Sequence, residues 1–230
     1  MMQWSKAILS FYKQLKPPAI AGLAEVLYPF QDKEVWHGME AFYQRYYADS
    51  APRLILVGIN PGRYGGGVTG LPFTDPIRLK DACGITNPWP RKPELSSIFM
   101  YEMMEAFGGV AAFYKQCYFT SVSPLGFVRQ GKNINYYDDR ALAAAIRPFA
   151  IDCMQQQLQW PIRRSVCFCI GEGKNWQYLQ ALNDAHGWFE HLEPLPHPRF
   201  IMQYKRRHMD EYIQQYIEAL GRYGTGTVAV

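Results

Sequence analysis

The sequence predicts an α/β fold, a three-layer α/β/α sandwich with a central four-stranded parallel sheet. Three observations carry this expectation. Short apolar runs rich in β-branched and aromatic residues recur at Leu54–Val57, Cys117–Val122, Val166–Ile170 and Phe189–Leu195, each of the length of a buried strand. Between them lie stretches with apolar residues at helical spacing, bounded by capping and stop residues. The first run breaks at Gly58 into a glycine-rich loop, at the carboxyl end of a strand, where open α/β sheets bind ligands. Strands that alternate with helices form a parallel sheet covered on both faces.

Taken in order, Trp4, Ile8, Phe11, Tyr12 and Leu15 recur at helical spacing, and Pro17-Pro18 ends that helix. Val35, Trp36, Met39, Phe42, Tyr43 and Tyr46 mark a second amphipathic helix before the first strand. Both aromatic stripes read as core. After the glycine loop, Asp75-Pro76 reads as N-cap and first helical residue, with Gly84 as the stop. The proline-rich Asn87–Glu94 is expected as a surface loop. Ser96 or Ser97 can cap a helix running through Phe107, closed by Gly108-Gly109. Gly126–Tyr137, holding Arg129 and Lys132, reads as a polar loop. Asp138 should start a helix that Pro148 kinks or divides on the way to Trp160. Gly171-Glu172-Gly173-Lys174 leads into a helix ending near Gly187. The last helix carries Tyr212, Ile213, Tyr216, Ile217 and Leu220 on one face and stops at Gly221, and the tail Thr225–Val230 is expected to fray.

The chain of 230 residues is expected to form one domain over 1–230, with the helices of residues 1–50 packed on it. A hydrophobic content of 48% with 19% charged residues is globular composition and excludes disorder. No stretch reaches the roughly 20 apolar residues that a membrane span needs, and the start M-M-Q-W-S-K lacks a signal-peptide apolar region. A cytoplasmic protein that does not engage membranes, and is a monomer, is expected. The net charge of +4 suits a polyanionic partner without arguing for one. The five cysteines, Cys83, Cys117, Cys153, Cys167 and Cys169, form no CxxC pair. They read as buried reduced thiols.

The loop after the first strand, G-I-N-P-G-R-Y-G-G-G-V-T-G-L-P-F, holds six glycines and two prolines between Gly58 and Pro72. Glycines let backbone amides approach a ligand, prolines stiffen the path, and Phe73 ends the loop with an aromatic face. The segments G-I-N-P-G and T-G-L-P-F, C-Y-F-T-S-V-S-P-L at Cys117–Leu125, and P-L-P-H-P-R at Pro194–Arg199 together resemble the motifs of the uracil-DNA glycosylase superfamily. The resemblance is greatest to its single-strand-selective monofunctional branch, and runs from about residue 50 to the C-terminus.

The resemblance implies a monofunctional glycosylase that removes uracil and related deaminated or oxidised bases from DNA in base excision repair. It implies no cofactor and no metal. The four-cysteine spacing of the superfamily's iron–sulfur branches is absent. Asn60, at or just beyond a strand end with Phe73, Ser121 and His197, stands where some branches place a water-activating aspartate. An amide cannot act as a general base but can hold and orient a water. Catalysis must then lean on the leaving group, for which His197 is the candidate donor to the base O2. Gly58 and Ile59 open the base pocket, and Phe73 would stack on an extruded base. Gly62 stands where the uracil-restricted enzymes carry a tyrosine that blocks C5, so the pocket should admit 5-hydroxymethyluracil. Ser121 replaces the branch's asparagine. A shorter hydroxyl that can donate or accept points to the second, bacterial subfamily and to xanthine as a further substrate.

Arg199, Phe200 or Tyr204 would wedge a base stack while Lys205 and Arg206 meet phosphates. Gly171 and Lys174, at a helix N-terminus, form a candidate phosphate contact. No lysine lies in the three motifs, so lyase chemistry is not expected. Read without the resemblance, the chain admits two alternatives. One is a nucleotide-binding hydrolase that uses Gly65-Gly66-Gly67, although it carries no P-loop and no GxGxxG fingerprint. The other is a non-catalytic single-strand-binding module with Ser121 marking a decayed site.

Overall fold

The computed structural model describes residues 2–20 and 22–224; the tail 225–230 lies outside the described residues. In chain order the elements are α1 (Trp4–Gln14), β1 (Glu25–Leu27), α2 (Lys33–Tyr46), β2 (Arg53–Gly58), α3 (Gly66–Thr69), α4 (Pro76–Asp81), α5 (Leu95–Ala106) and α6 (Val110–Gln116). Then follow β3 (Cys117–Ser121), β4 (Gly126–Arg129), β5 (Lys132–Ile134), α7 (Arg140–Gln157), β6 (Ile162–Ile170), α8 (Lys174–His186), β7 (His191–Leu195), α9 (Pro198–Tyr204) and α10 (Met209–Gly221). The order β3-β2-β6-β7 forms the expected four-stranded sheet, parallel throughout. Helices cover both faces, which gives the three-layer α/β/α sandwich. Every residue of β2 and β3 is buried, as strands covered on both sides must be.

The first two helices lock onto this sheet through a buried cation. Arg53, fully buried at the start of β2, pairs with Asp49 at 2.8 Å and donates from Nε to the Tyr114 carbonyl at 2.8 Å. Its guanidinium also lies over the rings of Trp4 and Tyr47. Trp4 in turn donates to the Ala51 carbonyl at 2.8 Å. A buried charge is tolerable only when paired and fully hydrogen-bonded in this way.

Several expectations change. Residues Gly126–Tyr137 are not a polar loop: β4 and β5 form a hairpin that joins β1 in a second, antiparallel sheet of order β1-β4-β5. The two-residue turn Gln130-Gly131 has positive φ at both positions, 50° and 70°, which suits the twist of paired strands. Its strands, four and three residues long, are too short for hydrophobic alternation to reveal them. The third parallel strand begins at Ile162 rather than Val166, and the fourth at His191 rather than Phe189. Of the two outcomes expected at Pro148, division does not occur: helix α7 continues through the proline, capped by Asp139, with Ile146, Ala150, Cys153 and Met154 keeping one buried face on both sides of it. Asp138 instead accepts from the Asn135 amide. Helix α5 is capped by Glu94, whose carboxylate accepts from the Ser97 amide at 2.9 Å. The Ser97 hydroxyl is already engaged by the Asp75 amide. Asp75 does cap α4, with Pro76 in its first turn. All five cysteines are free and buried.

Candidate active site

A cleft of about 920 Å³ opens at the carboxyl ends of the parallel strands, between the glycine loop, the β4–β5 hairpin with the chain that follows it, the β6–α8 turn and α9. Among its lining residues are Ile59, Asn60, Gly62, Phe73, Ser121, Gly171, Lys174, His197, Arg199, Phe200 and Tyr204. Residues separated by more than a hundred positions are thus brought to one place. Lys205 and Arg206 stay outside it, exposed beyond the end of α9.

Gly58 does not line the cleft; it makes room for what does. A Cβ there would lie 3.1 Å from Phe73 Cζ and 3.4 Å from Ser121 Oγ, so ring and hydroxyl converge over a position that only glycine fills without crowding. Ser121 is the register partner of Gly58 on β3 and is buried. Phe73 holds φ at 52°, a conformation rare for a bulky residue and found where the surroundings enforce it. Here Thr69 donates to the Thr74 carbonyl at 2.6 Å, and the buried Asp75 accepts from the Arg78 and Glu94 amides. The loop end is pinned on both sides of the ring, which packs 5.1 Å from Phe119 and 6.4 Å from His197 between ring centres.

Asn60 does more than terminate a strand. Its Oδ1 accepts from the Tyr136 amide at 3.0 Å and its Nδ2 donates to the Ile134 carbonyl at 3.3 Å. The side chain is therefore fixed across the cleft floor, with one lone pair of Oδ1 left over. Tyr136, fully buried, donates from its hydroxyl to Asn175 Oδ1 at 2.7 Å, and Asn175 Nδ2 donates to the Ile170 carbonyl at 3.0 Å. This chain of bonds ties the end of β2 to the end of β6. Tyr136 and Asn175 carry no sequence signal of such a role, because each acts through a partner distant in sequence.

His197 sits between β7 and α9 and caps that helix, its Nδ1 accepting from the Arg199 amide at 3.2 Å. Burial first, and the Arg199 charge second, push its pKa down from 6.5 to about 4. The ring is thus neutral near pH 7. With Nδ1 an acceptor, the proton resides on Nε2, a free donor on the cleft wall. The bond to backbone thus occupies one ring nitrogen of a residue that lines the cleft and leaves the other without a partner among the described residues.

The carboxylates of the lining are Glu94, held by its capping bond, and the exposed Glu172; against them stand the cations Arg63, Lys132, Lys174 and Arg199. The excess favours an anionic occupant. The space beside Gly62 is bounded by Asn133, whose Nδ2 would lie 3.2 Å from a Cβ at that position. Among the described residues no group of three or more His, Cys, Asp or Glu is placed to hold a metal.

Among curated proteins none matches the chain. Among solved structures, the crystal structure of wild-type SMUG2 from Pedobacter heparinus matches with a TM-score of 0.92 and 41% sequence identity, over 97% of this chain and 99% of its own. The family model of the uracil DNA glycosylase superfamily matches residues 44–221, which span the whole parallel sheet and every wall of the cleft. The chain belongs to the uracil-DNA glycosylase superfamily.

Proposed function

We propose that this protein is a monofunctional DNA glycosylase that hydrolyses the N-glycosidic bond of uracil, and also of 5-hydroxymethyluracil and xanthine, in base excision repair. The observation that carries the reading is the convergence of Asn60, Phe73, Ser121 and His197 on one cleft with a net excess of cations. An extruded base lies against the Phe73 ring with its edge toward the Ser121 hydroxyl. As the bond to the sugar breaks, negative charge collects on the base, and the Nε2–H of the neutral His197 donates to its O2. Such an aimed donor in a water-poor site lowers the barrier by about 3 kcal/mol. The remaining lone pair of Asn60 orients the water that attacks the sugar once bond breaking is advanced. No lysine lies within the three sequence motifs that carry Asn60, Ser121 and His197, and Lys132 and Lys174 enter the cleft from other segments; on that basis we read hydrolysis rather than imine formation.

Substrate breadth follows from two positions. The Ser121 hydroxyl rotates to donate or accept, and Gly62 carries no ring against C5. We further infer a monomer that works in the cytoplasm. The exposed apolar side chains Tyr64, Phe200 and Tyr204 gather at the cleft rather than on a separate face, and five unpaired buried thiols suit a reducing compartment. No described helix is long and apolar enough to cross a membrane.

The test is incubation of the purified protein with uracil-containing DNA in EDTA, followed by alkali. Strand scission only after alkali is the expected result. Intact strands after alkali would remove the activity, and scission without alkali would remove the monofunctional assignment.

A further inference from the structure

Four large apolar side chains are exposed among the described residues, and three of them, Tyr64, Phe200 and Tyr204, stand on the wall of the one cleft. Phe200 and Tyr204 belong to α9. Tyr64 comes from the glycine loop, and the function derived above gives it nothing to do. It is 40% exposed, so it is not a core ring, yet it is not bare. Lys92 Nζ lies 3.7 Å from its ring centre and the Arg63 guanidinium 4.9 Å. Neither cation has a carboxylate partner among the described residues. Arg63 Nε is buried with no hydrogen-bond partner, an unmet donor at the cleft wall. The loop carrying the ring is held in place: the Arg63 amide donates to Asn133 Oδ1 at 3.2 Å, and Gly65 packs against Glu94, where a Cβ would meet Cγ at 3.4 Å.

An exposed ring beside two unpaired cations matches the needs of one nucleotide of a single strand, a base face for the ring and a phosphate for the cations. We propose that Tyr64, Arg63 and Lys92 form a second nucleotide subsite, which takes the base and phosphate of a nucleotide flanking the extruded one in single-stranded DNA. The subsite rests on the glycosylase reading and extends it beyond the base pocket. In the free protein Lys92 covers the ring. A base stacked on an aromatic ring binds more strongly than an exposed ammonium does, so the incoming base displaces Lys92, and the released ammonium meets the adjoining phosphate. Every base offers a π face, so the subsite reads no sequence. It fixes the strand so that the neighbouring nucleotide reaches the pocket.

The experiment measures binding to single-stranded oligonucleotides that carry a non-hydrolysable 2′-fluoro-deoxyuridine. The 5′ or the 3′ flanking base is either present or replaced by an abasic spacer, and excision is measured on the cleavable counterparts. Tyr64→Ala should raise Kd and KM about tenfold, with kcat retained. Tyr64→Phe should behave as wild type. At one of the two flanking positions the spacer should abolish the difference between Tyr64→Ala and wild type, since no base is left to stack. Lys92→Ala should lower the slope of log Kd against log salt by about 0.7. Equal losses for Tyr64→Ala with and without the flanking base, at both positions, would overturn the stacking role. An unchanged salt slope in Lys92→Ala would overturn the exchange of ring for phosphate. Wild-type protein that excises uracil while Tyr64→Ala binds normally sinks the subsite alone; wild-type protein without excision sinks the glycosylase reading.

Discussion

His197 and Asn60 are both tied to backbone, and that fixes what each can do. The bond from the Arg199 amide to His197 Nδ1 leaves Nε2–H as the only donor of the ring, so His197→Ala should slow single-turnover excision about 10²- to 10³-fold with DNA affinity nearly retained. Asn60→Ala should slow it by orders of magnitude as well, and in addition frees the Tyr136 amide that Oδ1 holds. Unchanged single-turnover rates would remove either residue from the mechanism. Because the pKa of His197 falls from 6.5 to about 4 on folding, the unfolded chain binds more protons between those values. The contribution to stability is therefore complete above pH 6.5 and declines as pH falls toward 4. Nitrogen chemical shifts should show a neutral ring protonated on Nε2 well below pH 6.5, and a titration centred near 6.5 would refute the burial argument. Ser121 gives the sharpest test of specificity. Its hydroxyl and the tip of the Phe73 ring both come within 3.4 Å of a Cβ placed at Gly58. Ser121→Asn should favour uracil over xanthine, since a fixed amide matches one edge pattern and its length crowds a second ring. If both excision rates fall together, only the size of the residue matters.

The elements show why the parallel sheet was legible and the small sheet was not. Burial on both faces writes a strand as an unbroken apolar run, and Leu54–Val57 announces itself. The hairpin of β4 and β5 is held instead by its turn and by Gly126, where a Cβ would lie 2.3 Å from the Pro61 carbonyl oxygen. That contact lies between residues far apart in sequence, and no local pattern records it. It has a consequence for function: Gly126→Ala must push the hairpin off the glycine loop, so excision should fall steeply while the parallel sheet persists. Normal activity in this variant would show that the loop tolerates displacement. The same reasoning applies to the buried chain from Asn60 through Tyr136 to Asn175, legible at its first member alone, because only Asn60 sits in a recognisable motif. Tyr136→Phe leaves Asn175 Oδ1 without its 2.7 Å donor, a loss of about 1–3 kcal/mol visible as a lower melting temperature. Since Tyr136 touches no ligand, the excision rate should fall less than in Asn60→Ala.

At the scale of the whole molecule, a net charge of +4 says little until the fold distributes it. Of the described cations, Arg63, Lys132, Lys174 and Arg199 line the cleft, while Lys205 and Arg206 lie past the end of α9. Composition could suggest a polyanion as partner; it could not say which charges face it. Each phosphate neutralised on a single strand adds about 0.7 to the dependence of log Kd on log salt. If the four cleft cations and Lys92 each meet one phosphate, the slope should be about 3.5 in magnitude for a single-stranded oligonucleotide that spans the cleft. Neutralising Lys132 and Lys174 together should remove nearly half of it. Neutralising Lys205 and Arg206 should matter less, because a strand threaded through the cleft reaches them only if it continues along α9. A longer oligonucleotide distinguishes the two geometries: should the slope grow with length and then become sensitive to Lys205 and Arg206, the strand leaves the cleft along that helix. A slope that is small at every length would mean that the cleft binds the base and leaves the backbone in water.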